Sequence, residues 1–250
     1  MLKRNIFLLL FAFIIAVGTL NAQVRPGIKA GYNISGVMAD VLFEHPDRPN
    51  AASQPENFKM RSGFQLGMIA DWTISNTLAL QPGVRFAMQG FSDEYRDGGA
   101  TGANELRKFS LYYLQFPVNV QYKLNLIEEA NLLFQAGPYV GYGLFARQSR
   151  IRRGASVELS DEQKKVSFGS DPTRTSEDLQ RMDYGIGAGV GIEFFRFQFM
   201  VNYDFGLNKA HLKKDRAPGI YNVDIRNHNI SATFAVIFGR RDPLQYMRDF

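Results

Sequence analysis

The sequence predicts an all-β chain: an eight-stranded antiparallel transmembrane up-and-down β-barrel with long extracellular loops and short periplasmic turns. Three observations carry this expectation. Apolar residues recur at every second position through most of residues 23–239, which gives each strand one apolar face. The connections between these runs alternate between long polar ones and tight ones. Ahead of the first run stands a segment built like an export signal.

That segment comes first. Lys3 and Arg4 precede an uncharged run over 6–20, and Asn21-Ala22 ends it before Gln23. A basic start, an apolar stretch too short for a helical span and a small residue at the cut make a secretory signal peptide, so residues 1–22 are expected to be cleaved. The 250 residues are 45% hydrophobic and 21% charged with no cysteine. This composition excludes a charge-rich disordered chain, a disulfide scaffold, a thiolate metal site and a catalytic thiol. A net charge of +5 is too mild to imply nucleic acid.

The strands follow in order. In 27–36 Ile28, Ala30, Tyr32 and Ile34 alternate with Lys29, Gly31, Asn33 and Ser35. In 63–72 Phe64, Leu66, Met68, Ala70 and Trp72 stand opposite Gln65, Gly67, Ile69 and Asp71. The third run sets Leu78, Leu80, Pro82, Val84, Phe86 and Met88 against Gln81, Gly83, Arg85 and Gln89, and the fourth sets Tyr112 to Tyr122 at even positions against Gln115, Asn119, Gln121 and Lys123. Phe134, Ala136, Pro138, Val140, Tyr142 and Leu144 make the fifth apolar face. The sixth has Tyr184, Ile186, Ala188, Val190, Ile192 and Phe194 opposite four glycines and Glu193. Phe197, Phe199, Val201, Tyr203 and Phe205 make the seventh, opposite Asn202 and Asp204, and Ile230, Ala232, Phe234, Val236 and Phe238 make the eighth. The connections 37–62, 92–109, 146–183 and 207–228 are long, whereas 73–77, 124–132 and 195–196 are short. An even number of strands closes the sheet without an edge.

A soluble ligand-carrying barrel also alternates, but it shows water a face rich in Lys, Glu and Asp. Here the polar face is mostly Gly, Gln, Asn and Ser, and the apolar face carries no charge in any of the eight strands. Lipid requires such a face, since a mid-depth charge costs about 2–4 kcal/mol. Tyr32, Trp72, Tyr112, Tyr122, Tyr142 and Tyr184 lie towards strand ends, where aromatic girdles meet headgroups.

The stretches GIKAGYNISG (27–36), GFQLGMIADW (63–72), LALQPGVRF (78–86), YYLQFPVNVQYKL (112–124), QAGPYVGYGL (135–144) and DYGIGAGVGIEF (183–194) resemble the PorT-like outer-membrane β-barrel family. The resemblance covers essentially the whole mature chain. It implies a barrel in a Gram-negative outer membrane, reached through the barrel assembly machinery, and by its founding member a part in protein secretion. These motifs specify location and fold more sharply than role.

Six charges on the polar face form a candidate lumen network. Lys29, Asp71, Lys123 and Glu193 are expected near the periplasmic end, and Arg85 and Asp204 near mid-depth, where strands three and seven face each other. Either a gate or a satisfied structural plug fits them, and small barrels are ordinarily filled by side chains. The glycines 185, 187, 189 and 191 recur every second residue, which fails the dinucleotide fingerprint. Their steric role is to admit neighbouring bulk, with Tyr139 a candidate to lie over them. Pro82, Pro117 and Pro138 are expected to produce local bulges, and a phase slip stays open as an alternative, particularly around the inward Pro117.

No catalytic constellation is found. His45, His211 and His228 sit in or beside long connections without a nucleophile at useful spacing, and no cofactor or metal is implied. Arg147, Arg150, Arg152 and Arg153 stand just above strand five; guanidinium forks suit phosphates, so lipopolysaccharide or a protein partner is the candidate contact. Residues 240–250 break the alternation that Phe234, Val236 and Phe238 set up, and read as a short periplasmic tail. The expectation is a monomeric, non-enzymatic outer-membrane barrel with a structural or interaction role in the envelope. Its alternatives are an accessory of a secretion apparatus and a small pore or lipid-binding barrel.

Overall fold

The computed structural model describes residues 24–41, 58–96, 104–127, 130–152, 155–157, 165–166, 168, 180–208 and 223–239. The signal segment 1–22, the tail 240–250, His45 and His211 lie outside them. Eight strands close into a barrel: β1 (Val24–Val41), β2 (Phe58–Thr73), β3 (Leu78–Arg96), β4 (Asn104–Ile127), β5 (Ala130–Arg152), β8 (Met182–Phe194), β9 (Phe197–Gly206) and β10 (Val223–Ile237). Two short strands, β6 (Ala155–Val157) and β7 (Lys165–Val166), pair with the far end of β5. Every barrel strand pairs antiparallel with its sequence neighbour in the barrel, and β1 pairs with β10 to complete the ring, with Ile28 opposite Val236 and Asn33 opposite Ser231. No barrel strand is left with an unpaired edge, the condition for crossing a bilayer with strands.

The phase follows the alternation. Asn33, Gln65, Gln81, Gln115, Gln121, Gln135, Asn202 and Thr233 are buried inside, while Leu66, Met68, Phe116, Val190, Phe199 and Val201 are exposed outside. A polar interior and an apolar exterior invert the burial order of a soluble domain, and a lipid surround makes that inversion favourable. Aromatic rings cross the outer face as an oblique row over four strands: Phe64–Phe86 at 6.2 Å, Phe86–Tyr112 at 5.9 Å and Tyr112–Phe145 at 4.3 Å between centroids. The tight turn Phe195–Arg196 holds Phe195 at φ 53°, a left-handed conformation uncommon for a bulky residue. The Phe195 ring packs edge-on against Phe194 at 4.5 Å.

Two expectations are corrected. First, the register does not shift at the prolines. Pro82 faces Val118 and Arg85 faces Gln115; Pro117 faces Tyr139 and Val120 faces Ala136; Pro138 faces Ile186 between two regular pairs. A proline loses one donor, but its fixed φ is compatible with an extended strand, so the ladder thins without slipping. The shifts fall elsewhere: between Met60 and Gln65, at Tyr112/Tyr113 and between Asn125 and Ile127. At the second, Tyr112 faces Phe145 and Tyr113 faces Gly143, so Leu144 is the extra residue. Leu144 and Phe145 are consequently both exposed, and Ala146 turns inward.

Second, the barrel strands run on into the connections 92–109 and 146–183. β3 runs to Arg96, β4 starts at Asn104 and β5 runs to Arg152, with Glu105 opposite Arg152. Past the lipid the strand's outer face meets water instead of lipid, so the apolar alternation stops while the ladder continues. Tall hairpins therefore look like loops in the sequence.

Candidate functional site: the closed lumen

The short-turn end of the lumen is shut by four charges from four strands. Arg25 of β1 donates to Asp71 of β2, and its Nη2 stands 3.2 Å from Glu193 Oε1 of β8. From β4, Lys123 Nζ donates to Asp71 Oδ1 and Oδ2 at 3.1 and 2.9 Å and to Glu193 Oε2 at 3.3 Å. Asp71 and Glu193 are fully buried, and two cations face two anions, so the cluster is self-neutral. Buried charges persist when they are paired and hydrogen-bonded in this way.

From there a chain of amides leads up the lumen. Gln198 donates to Glu193 at 3.0 Å, Gln81 donates to Gln198 at 3.2 Å, and Lys29 Nζ donates to Gln81 Oε1 at 3.2 Å. Alongside it Gln121 donates to Gln135 at 3.0 Å, Gln135 donates to Asn202, and Asn202 donates to Thr233 at 3.3 Å. Above them Arg85 Nη2 meets Asp204 Oδ2 at 2.7 Å across the barrel, and its Nε donates to Gln115 at 2.8 Å. Asn229 adds a bond to the same carboxylate oxygen at 3.2 Å, while the guanidinium stands 5.9 Å from the centre of the Tyr139 ring.

The six charges thus fall into two groups and a single. Asp71, Lys123 and Glu193 meet near the short-turn end, Arg85 meets Asp204 at mid-lumen, and Lys29 joins neither by an ion pair. Lys29 instead lines the same cavity as Arg85 and Asp204, well inside the end where the sequence reading placed it. Arg25 is the member that sequence reasoning missed, because the first strand was read as starting at 27. Its signal was present: positions 25, 27 and 29 share the inward parity.

The β8 glycines make room for this network. A Cβ on Gly187 would stand 2.5 Å from Asp204 Oδ1, and one on Gly185 would stand 2.7 Å from the Tyr139 ring. The missing side chains thus admit the Tyr139 ring and the carboxylate that Arg85 binds.

The long-connection end is shut differently. Val37, Phe91, Phe109, Leu111, Tyr113 and Ala146 form a buried apolar cluster in the mouth, and Phe168 enters it from the segment between β5 and β8. The Phe168 ring meets Tyr113 edge-on at 5.8 Å. Arg181 holds this residue in place, donating Nη2 to the Phe168 carbonyl at 2.8 Å and Nη1 to the Tyr142 hydroxyl at 2.9 Å. Asp183, also buried, lies below beside Tyr139 and Asn227. Nothing local in the polar stretch around Phe168 marks it as a plug.

Of the four outer arginines, Arg147 is an exposed residue of β5, and Arg150 and Arg152 belong to the same strand. Arg153 lies outside the described residues. His228 sits on β10, with its ring 6.5 Å from that of Tyr203. Among the described residues there is no cluster of three or more metal-ligating side chains.

A family model described as outer membrane protein beta-barrel domain matches residues 21–212. Among solved structures, the chain is similar to Ail, the attachment invasion locus protein of Yersinia pestis, at 13% identity over 87% of this chain and 100% of that one, with a TM-score of 0.36. It is also similar to Neisserial surface protein A at 12% identity, 85% and 97% coverage and a TM-score of 0.38. The outer membrane protein OprG from Pseudomonas aeruginosa aligns at 10% identity, 86% and 95% coverage and a TM-score of 0.42. No curated protein matches the sequence.

Proposed function

We propose, for a chain that belongs to the family of outer membrane protein beta-barrel domains, a closed, non-enzymatic barrel whose envelope role is structural or interactive and is exercised at its rim. The carrying observation is the lumen, spanned by charge and amide pairs and shut at one end by Arg25, Asp71, Lys123 and Glu193 and at the other by the Phe168 cluster. A path for solutes would have to break several of these bonds at once. Purified protein in planar bilayers is expected to give no steady conductance, and ohmic steps from the wild type would sink the closed-lumen reading. Replacing Asp204 with Asn is expected to leave the membrane silent.

The rim supplies the interaction surface. In barrels of this architecture the long connections face the cell exterior, which places the tall β3–β4–β5 hairpins and Arg147 outside. Arg147, Arg150, Arg152 and Arg153 suit the phosphates of lipopolysaccharide by charge and by fork geometry. Changing all four to Gln is expected to reduce lipopolysaccharide co-purifying with the barrel, and unaltered lipid content would remove that contact. The PorT-like resemblance favours a second reading, an accessory of a protein secretion apparatus. A deletion strain that exports its cargo at the wild-type level would exclude it.

A further inference from the structure

The bulge between Met60 and Gln65 leaves Gly90 of β3 without a ladder partner on β2. Ser35 of β1 takes over both backbone groups, its Oγ accepting from Gly90 N at 2.7 Å and donating to Gly90 O at 3.1 Å. Arg61, inside the bulge, crosses Gly90: a Cβ there would stand 3.4 Å from Arg61 Cδ. Beyond it, Arg61 Nη1 donates to Ser110 Oγ of β4 at 2.6 Å. Gly90 pairs with Ser110, and both share the outward parity of Met88 and Tyr112, so this guanidinium lies on the outer face. On the other side of Ser110 the register places the exposed Arg147 of β5. Two residues further out on β4 stands Lys108, between Ser92 and Ser149.

Directly beneath these cations Tyr112 stacks on Phe145 at 4.3 Å and on Phe86 at 5.9 Å, and such rings mark the level where acyl chains give way to headgroups. Above the rings, the outward positions of β3, β4 and β5 as far as Ser92, Lys108 and Ser149 hold only glycine, serine, arginine and lysine. No carboxylate interrupts the patch. We propose that Arg61, Lys108 and Arg147 bind the phosphates of an outer-leaflet lipid of the lipid A class, whose acyl chains lie on the aromatic row. The proposal rests on the lipopolysaccharide contact argued above and reassigns its residues. Leu144, the extra residue of β5, decides the reassignment: uninterrupted alternation from Tyr142 would give Arg150 and Arg152 the outward positions, whereas after the bulge Arg147 takes one and they fall on the parity of the buried Ala146. A guanidinium fork meets two phosphate oxygens at once, and Ser110 fixes the fork of Arg61. Free phosphate lacks the apolar half of this contact.

The test titrates the full barrel, in micelles of a phosphate-free detergent, with bisphosphorylated lipid A and follows the complex by native mass spectrometry. The wild type is expected to bind this lipid more tightly than the same lipid stripped of its phosphates. Combining Arg61→Gln, Lys108→Gln and Arg147→Gln is expected to weaken binding about tenfold or more, through lost charge-assisted bonds. Combining Arg150→Gln, Arg152→Gln and Arg153→Gln is expected to leave it unaltered. Unchanged binding in the first variant, or an equal loss in the second, overturns the patch while the broader lipopolysaccharide contact stands. A wild type that does not distinguish lipid A from its dephosphorylated form removes both. Displacement of the lipid by inorganic phosphate would mean a site for the free anion and also overturns the proposal. Should the first variant not fold, Arg147→Glu, at an exposed position, decides in the same assay: a loss of binding supports the patch, and unaltered affinity refutes it.

Discussion

Replacing Asp71 with Ala is expected to lower the stability of the folded barrel by about 3–5 kcal/mol, the usual cost of removing one partner from a buried ion pair. Asp71 accepts from both Arg25 and Lys123 and is fully buried. Its loss leaves two cations facing Glu193 alone, in a lumen with no bulk water to compensate. The group also ties strands that are not neighbours, since β1, β2, β4 and β8 each contribute one member, so the damage extends to closure of the short-turn end. Replacing all four members together with apolar residues of similar volume is expected to cost much less, because no charge is then left unpaired. Urea unfolding into lipid vesicles, read by tryptophan fluorescence and gel migration, measures both variants. A loss below about 1 kcal/mol for Asp71→Ala would mean that the pairs are already screened by water.

Within the bilayer the fold is legible from parity alone, because lipid and lumen impose opposite chemistries on alternate residues. Val190, Ile192, Phe199 and Val201 are exposed as their parity requires, and Gln198, Asn202 and Asp204 are buried for the same reason. Parity also carried the meeting of Arg85 with Asp204, since each strand's place in the ring follows from its order in the chain. It failed where the two environments cease to differ. The tall ends of β4 and β5 have no lipid on either face, so Leu106, Arg107 and Lys108 show no alternation although they are paired with Ile151, Arg150 and Ser149. Phe168 was invisible for another reason: its partners Tyr113 and Ala146 lie in distant segments, and a single aromatic in a polar stretch has no periodicity to declare it. The prolines misled because a lost donor was equated with a lost residue. Only an inserted residue, such as Leu144, shifts a register.

Whether lipid covers the apolar face is decided by a charge placed at two depths on one strand. Val201 is exposed near the middle of β9, with Ala232 and Val190 as its cross-strand neighbours. Leu207 shares its parity, is also exposed and lies just past the end of β9 towards the long connections. Val201→Arg is expected to cost about 2–4 kcal/mol, and Leu207→Arg only about 0–1 kcal/mol, because the penalty for a cation falls from the bilayer midplane to the interface. Neither side chain faces the lumen network, so loss of internal bonds does not contribute to the difference. In water the two substitutions would be nearly equivalent, and Val201→Arg would improve solubility by interrupting an apolar patch. Folding titrations in lipid vesicles therefore separate the membrane barrel from a soluble one by the difference between two variants, without reference to any absolute stability. Equal costs at the two positions would remove lipid from the outer face and, with it, the physical reason for the inverted burial of this chain.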